Sequence, residues 1–358
     1  MILDYLQYTP AIGGELALAG HAALIGRATI GANCALGDYA TVRADGETIR
    51  VGANTWFGDH ATAHIADQIR GAVIGSDVTV GRYGIAHACT LGDGVVIGES
   101  SAVMDDASVG DHAVIAGDSV VPPRKRLPGG FLYAGHPAKP VRAITRDEAR
   151  AFGESVRSGR SAPELVSRRL PTWADVLRRL PAGEGACREL HGRRPLVDGA
   201  FVAPTAIVAG DVAMRADASV FFGCAVCAGD GRIVIGARTN VQDNCILETD
   251  RRRGDLVLGK GVTIGHNVEI GSGAIDDDAL IGMGSRVGDG VVVERGGCIG
   301  AGAWVEPGTR VQAGWIWAGR PARPFRALKP EERAEFARAR DIYVVYSNDY
   351  RRTARSAR

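Results

Sequence analysis

Leu91-Gly92-Asp93-Gly94-Val95-Val96-Ile97-Gly98-Glu99-Ser100-Ser101-Ala102-Val103 decides the architecture, because its aliphatic residues return every six positions. Val109, Ile115 and Val121 continue the phase of Leu91, Ile97 and Val103, and Leu18, Leu24, Ile30, Leu36 and Val42 set the same spacing earlier in the chain. The pattern returns at Val202, Val208, Met214, Val220 and Val226, then at Ile275, Ile281, Val287, Val293, Ile299, Val305 and Val311. Neither an amphipathic helix nor an alternating strand keeps a six-residue spacing over so many cycles. A parallel β-helix does, with each flat face taking about one hexapeptide and its aliphatic residue pointing into the core. Small residues beside each aliphatic let the backbone turn at the corners.

Composition agrees. Glycine fills 49 of the 358 positions and aromatics are few, as suits a narrow core of Val, Ile, Leu and Ala. A formal net charge of +1 supplies no general attraction for nucleic acid or an acidic membrane. No apolar stretch is long enough to span a bilayer, and Met1-Ile2-Leu3-Asp4 lacks a signal peptide's charged start and apolar core. Seven cysteines scattered through expected core strands argue for reduced thiols and a cytoplasmic location. Cys224-x-x-Cys227 falls inside one such strand with no second pair, so it is read as packing rather than redox or zinc chemistry.

The chain repeats itself on a larger scale. Val80-Gly81-Arg82-Tyr83-Gly84-Ile85-Ala86-His87 aligns with Ile264-Gly265-His266-Asn267-Val268-Glu269-Ile270-Gly271, 184 residues later. This predicts two β-helical domains over residues 1–145 and 196–328. Residues 146–195 lose the hexapeptide pattern and are expected to form a helical linker, with short helices at Ala162-Pro163-Glu164-Leu165 and Pro171-Thr172-Trp173-Ala174-Asp175-Val176-Leu177. Lys329-Pro330-Glu331-Glu332 opens a helix running towards Tyr350, so residues 329–358 form a terminal helix and solvated basic tail.

Both copies resemble γ-class carbonic anhydrases and their relatives among the hexapeptide-repeat, left-handed β-helix proteins. The first copy carries Tyr8-Thr9-Pro10-Ala11-Ile12-Gly13, Val42-Arg43-Ala44-Asp45 where the family has Arg-Gly-Asp, and the closing Tyr133-Ala134-Gly135-His136-Pro137-Ala138. The second carries Ser219-Val220-Phe221-Phe222-Gly223, Thr239-Asn240-Val241-Gln242-Asp243-Asn244 and Trp317-Ala318-Gly319-Arg320-Pro321-Ala322, with Tyr343 and Tyr350 in its final helix. The resemblance implies a mainly β fold: two tandem left-handed parallel β-helices, a helical linker and a C-terminal α-helix.

It also implies a metal site of three histidines, two from one domain and one from its neighbour. The first copy keeps two of these positions, His64 and His87, and has Arg82 at the third. The second keeps the third, His266, with Glu248 and Gly271 at the other two. The amides that orient a metal-bound water in the family fall at Asn240 and Gln242, whereas the first copy has Trp56 and Gly58 there. Arg43 and Asp45 resemble a family salt bridge across the subunit boundary, and Asp59 and Asp243 are expected to order backbone beside the site. Each histidine alone is equally well read as an interface packing residue. Arg82 is open to anion binding or to an interface ion pair, Glu248 is read as no ligand, and His60, His112 and His136 as surface or packing residues.

Zinc is the expected ion, with iron or cobalt suited to the same imidazoles. Three neutral histidines leave zinc an open position for water, and the resulting hydroxide would attack CO2 or a related carbonyl carbon. The primary reading is thus a metal-dependent hydratase or hydrolase with a small-molecule substrate and one hybrid site. The alternatives are an acyl-CoA-type acyltransferase or thioesterase with His87 as base, and a non-catalytic assembly protein with degenerate sites. The domains are expected to pair as a pseudo-oligomer, with homo-oligomers open. Unlike domains cannot alternate round a three-membered ring, so the hybrid site needs some other arrangement in which they touch.

Overall fold

The computed structural model describes residues 1–67, 69–167, 176 and 185–356. Two compact units divide the chain, Met1–Leu170 and Pro171–Arg358. Each is a left-handed parallel β-helix. In the second unit the three faces are separate sheets of 7, 7 and 8 strands. In the first, the long strand Thr41–Val51 runs round a corner and joins two faces into one 12-stranded sheet beside an 8-stranded one.

Coil stacks on coil in parallel register: Thr79 pairs with Val96, and Val96 with Val114. Every hexad residue from Leu24 to Val121 named above is buried, as are those from Val208 to Val311. Leu18 and Val202, near the start of each solenoid, are partly exposed because fewer coils cover them. Corners pass through left-handed backbone, and Asn33, Asn54, Asp77, Asn244 and Asp278 accept it with φ between 55° and 59°. Stacked corner residues bond along the axis, as in Asn54 Nδ2 to Asp77 Oδ1 at 3.2 Å.

Helix α1, Arg146–Arg157, follows the first solenoid. Thr145 caps it by accepting the Glu148 N–H, while the Glu148 side chain accepts the Thr145 N–H, so two otherwise orphaned donors are satisfied. Helix α2, Pro330–Ser356, follows the second. Its Tyr343 and Tyr350 pack edge-on against Phe221, with ring centroids 5.0 and 6.2 Å apart. No helix among the described residues is long and apolar enough to cross a membrane.

The linker differs from expectation. Ala162–Leu165 is a turn rather than a helix, because the solenoid takes the carbonyls a helix would use: Glu99 N–H donates to Leu165 O and Gly117 N–H to Glu164 O, both at 2.8 Å. Apart from Val176, the expected helix at 171–177 lies outside the described residues. The strand Cys187–Arg188 already pairs with Ile207–Ala209, so second-solenoid pairing begins before residue 196.

Candidate metal centre

In the first unit the strands Thr62–His64 and Ile85–His87 are parallel neighbours, and His64 stands opposite His87. Arg43 stands opposite His64 on the other side. Three successive coils therefore place Arg43, His64 and His87 side by side on one edge. His64 and His87 are 23 residues apart, more than the 18 from His87 to Asp105, and the additional turn at Ala66–Arg70 lies between them.

All three are buried, and their side-chain nitrogens are engaged in order. The Arg43 guanidinium binds Asp45 Oδ2. Asp45 Oδ1 lies 3.1 Å from His64 Nε2, His64 Nδ1 lies 3.3 Å from His87 Nε2, and His87 Nδ1 binds Asp105 Oδ1. In the tautomers that give the outer N–H of each ring to a carboxylate, the inner nitrogens present two facing lone pairs. A cation between them, proton or metal, relieves that opposition. Carboxylate support of the far nitrogen is the usual companion of a metal-ligating histidine.

The second unit is built differently at the same edge. Glu248 and Gly271 replace the histidines, and Arg253 fills the place. Its Nε lies 3.0 and 3.1 Å from the two Asp289 oxygens, and its Nη1 3.3 Å from Glu248 Oε2. A Cβ on Gly271 would collide with Asp289 Oδ1 and come within 3.2 Å of Arg253 Nη2. Asp250 holds the loop by accepting the Arg252 and Arg253 N–H groups at 2.8 and 2.9 Å.

His266 occupies a corner after the strand Thr263–Ile264, fully buried, with Nδ1 3.1 Å from Asp243 Oδ2. The other Asp243 oxygen accepts the Phe222 N–H at 3.1 Å. Asn240 donates to Thr263 Oγ1 at 3.1 Å and accepts from Gln242 Nε2 at 3.2 Å. The two amides thus form a buried line beside the strand that leads into the His266 corner.

Other residues singled out in the sequence fall elsewhere. Arg82 is bound through Nε and Nη2 to Glu99 Oε1, at 3.0 and 2.7 Å, and the second Glu99 oxygen accepts the Ser167 N–H. Its charge is therefore spent within the first domain. Asp59 accepts the Asp38 N–H at 2.8 Å. His60 is stacked between Tyr39 and Tyr83, centroids 4.9 and 4.8 Å away, so it is a packing residue. Cys224 donates to the Gln242 carbonyl at 2.8 Å, and burial pushes its thiol pKa well up, which suits packing. Asp105, Asp289 and Arg253 escaped the sequence reading. The signal for Asp105 was its one-coil distance from His87.

Fold and side chains together define a hexapeptide-repeat protein whose first domain bears a carboxylate-braced pair of histidines on one edge. The chain is 37% identical over 157 residues to the mitochondrial gamma carbonic anhydrase 1 of Arabidopsis thaliana, covering 42% of this chain and 57% of that protein. It is 35% identical over 161 residues to the carbonic anhydrase of Geobacillus kaustophilus (45% and 88%), and 33% over 154 residues to protein YrdA of Escherichia coli (41% and 84%). The match thus spans 57% of the Arabidopsis relative's length and most of the bacterial ones. No protein-family model matches the chain. A solved Bacillus cereus structure described as a putative acetyltransferase is 34% identical over 46% of this chain and 95% of its own, with a TM-score of 0.45, too partial a likeness to bear on activity. The chain belongs to the γ-carbonic-anhydrase-like family of left-handed β-helix proteins.

Proposed function

We propose that the chain is a metal-dependent hydratase acting on CO2 or a related carbonyl carbon, with one site per chain to which His64 and His87 of the first domain and His266 of the second contribute. The observation that carries this reading is the His64–His87 pair, facing nitrogen to nitrogen at 3.3 Å with a carboxylate behind each ring. Three imidazoles are a donor set able to hold a metal ion, and zinc suits them best, with iron or cobalt next. When bound, such an ion supplies an acidified water that serves as a nucleophile near neutral pH.

The chain's own residues do the rest. Asp45 and Asp105 keep the N–H on the outer nitrogens of His64 and His87, so the inner ones are donors to a cation. Asp243 Oδ2 lies 3.1 Å from His266 Nδ1 and sets a carboxylate beside that ring. Asn240 takes one Gln242 N–H, which fixes the amide and leaves its oxygen to accept a hydrogen bond from the reacting water. Seven free thiols fit a reducing, cytoplasmic setting.

Metal content tests the proposal. Protein purified without chelator is expected to hold about one ion per chain, lost as fully in His266→Ala as in His64→Ala. Two ions per chain would contradict a shared site, and none would end the proposal.

A further inference from the structure

A second cluster of functional groups lies on a different face of the first solenoid, under α1. The helix lays its small residues Ala149 and Gly153 against the sheet, where a Cβ on Gly153 would come within 3.1 Å of Thr79 Oγ1. Beside this close approach opens a cleft of about 270 Å³. Arg146, Arg150 and Arg157 line it from one face of α1, and His112 lines it from a solenoid corner.

Two carboxylates also reach the cleft, and both are engaged. Asp77 Oδ1 accepts from Asn54 at 3.2 Å, and Glu154 lies 3.9 Å from Arg150. Arg157 is anchored to Thr79 Oγ1 at 2.9 Å and to the carbonyls of Asp77 and Val78. Among the described residues, neither the Arg146 guanidinium nor the His112 ring has a hydrogen-bond or ion-pair partner. Arg150 also lies 3.5 Å from Asp147, so the acids nearby are taken up by Arg150 and Asn54, and the Arg146 guanidinium is left beside the His112 ring.

The second domain supplies an internal comparison. There the matching ground is closed by ion pairs, Arg340 to Asp278 at 2.6 Å and Arg238 to Asp341 at 2.8 Å. Gly94 stands where the second domain has Asp278, Arg157 where it has Asp341, His112 where it has Gly296, and Arg146 where it has Pro330. Asp77 and Glu154 in turn stand where the second domain has Gly261 and Arg338, so acids are lost at two positions of the first domain and gained at two, while Arg146 and His112 are added without partners.

We propose that this cleft binds a small organic anion through a single phosphate or carboxylate group, held by Arg146 and His112 as charge-assisted donors and by Arg150 at the rim. The site stands apart from the histidine edge and does not depend on a metal.

Thermal melting of the full chain tests it, with sodium phosphate or sodium acetate titrated at ionic strength held constant by sodium chloride. One of the two anions is expected to raise the melting temperature saturably, and which one does so identifies the oxyanion. Arg146→Gln and His112→Gln should each weaken the apparent affinity about tenfold, while Lys139→Gln, outside the cleft, should not. A shift that fails to saturate, or one unchanged in both cleft variants, overturns the proposal.

Discussion

Asp105 and Asp289 hold the same place in their respective domains, yet Asp105 binds the ring of His87 and Asp289 binds the guanidinium of Arg253. One carboxylate braces a side chain that can give a lone pair to a metal. The other neutralises a cation that the chain supplies itself. The second domain's edge is therefore filled by its own charge, which is why the proposed stoichiometry is one ion per chain and not two.

That difference separates the two aspartates by experiment. Asp105→Asn should weaken metal binding by about 10–100-fold, the usual consequence of removing a carboxylate behind a ligating histidine. Asp289→Asn should leave metal affinity unchanged and lower stability by about 1 kcal/mol as a half-exposed ion pair is lost. Equal effects of the two on metal affinity, measured by competition with a chelating dye, would remove the distinction.

Placing in the second domain the histidine that the first has at His87 should fail while Arg253 remains. Gly271→His places a Cβ on Asp289 and beside Arg253 Nη2, so the variant should lose about 1–3 kcal/mol. Adding Arg253→Ala should recover part of that loss. Urea unfolding of the single and double variants measures both; a neutral Gly271→His would contradict the crowding described here.

The anchor of α2 should be sensitive to acid. Glu332 accepts two bonds from Arg326, at 2.7 and 2.6 Å, and one from the Lys329 N–H. The Arg326 guanidinium, then the Lys329 N–H, holds its carboxyl down at about 2. Because the folded value lies below the unfolded one, the stabilisation is complete above the ordinary glutamate range and fades as pH falls from about 4.5 towards 2. Solvent screening limits it to about 1 kcal/mol or less. Glu332→Gln should therefore melt lower than wild type at pH 7 and converge with it near pH 2 to 3. A constant gap across that range would count against the linkage.

Thiol chemistry offers a check on burial. Cys187 is exposed, and the other six cysteines are buried. Burial pushes Cys298 up to about 12 and raises Cys89 and Cys224 strongly, so these are thiols and not thiolates at neutral pH. Native protein should react with a thiol reagent at about one site per chain, Cys187, more slowly than a free thiol because partial burial raises its pKa as well, and at all seven once unfolded. Rapid reaction of several thiols in the native state would contradict the packing described.

The hexad aliphatics announced the solenoid because a six-residue period is a local constraint: each position either meets the core or does not. Most other features depended on how coils stack. Asp105 is invisible beside His87 in the sequence and becomes its neighbour after one turn of the helix. Arg253 is the last of three consecutive arginines in the sequence, and the turn held by Asp250 sends it inward. The helix α1 did carry a local sign, the Thr145-x-x-Glu148 capping box, whereas Ala162–Leu165 resembled a helix start and was claimed by solenoid edges that sequence alone does not display. Arg82 was open between two readings, and Glu99, a coil away, supplies the ion pair.

The ladder of Arg43, His64, His87 and Asp105 crosses four consecutive coils, so its geometry is set by the height of each turn more than by the conformation of any one strand. Length between rungs is then a functional variable in itself. Losing a single residue at a corner between Asp45 and Asp105 would put every later side chain on the opposite side of its strand until the register recovered. Neighbouring aliphatics would refill the core; the alignment of carboxylate, ring, ring and carboxylate would be lost. In this fold the spacing of turns is as much a part of the site as the residues that occupy them.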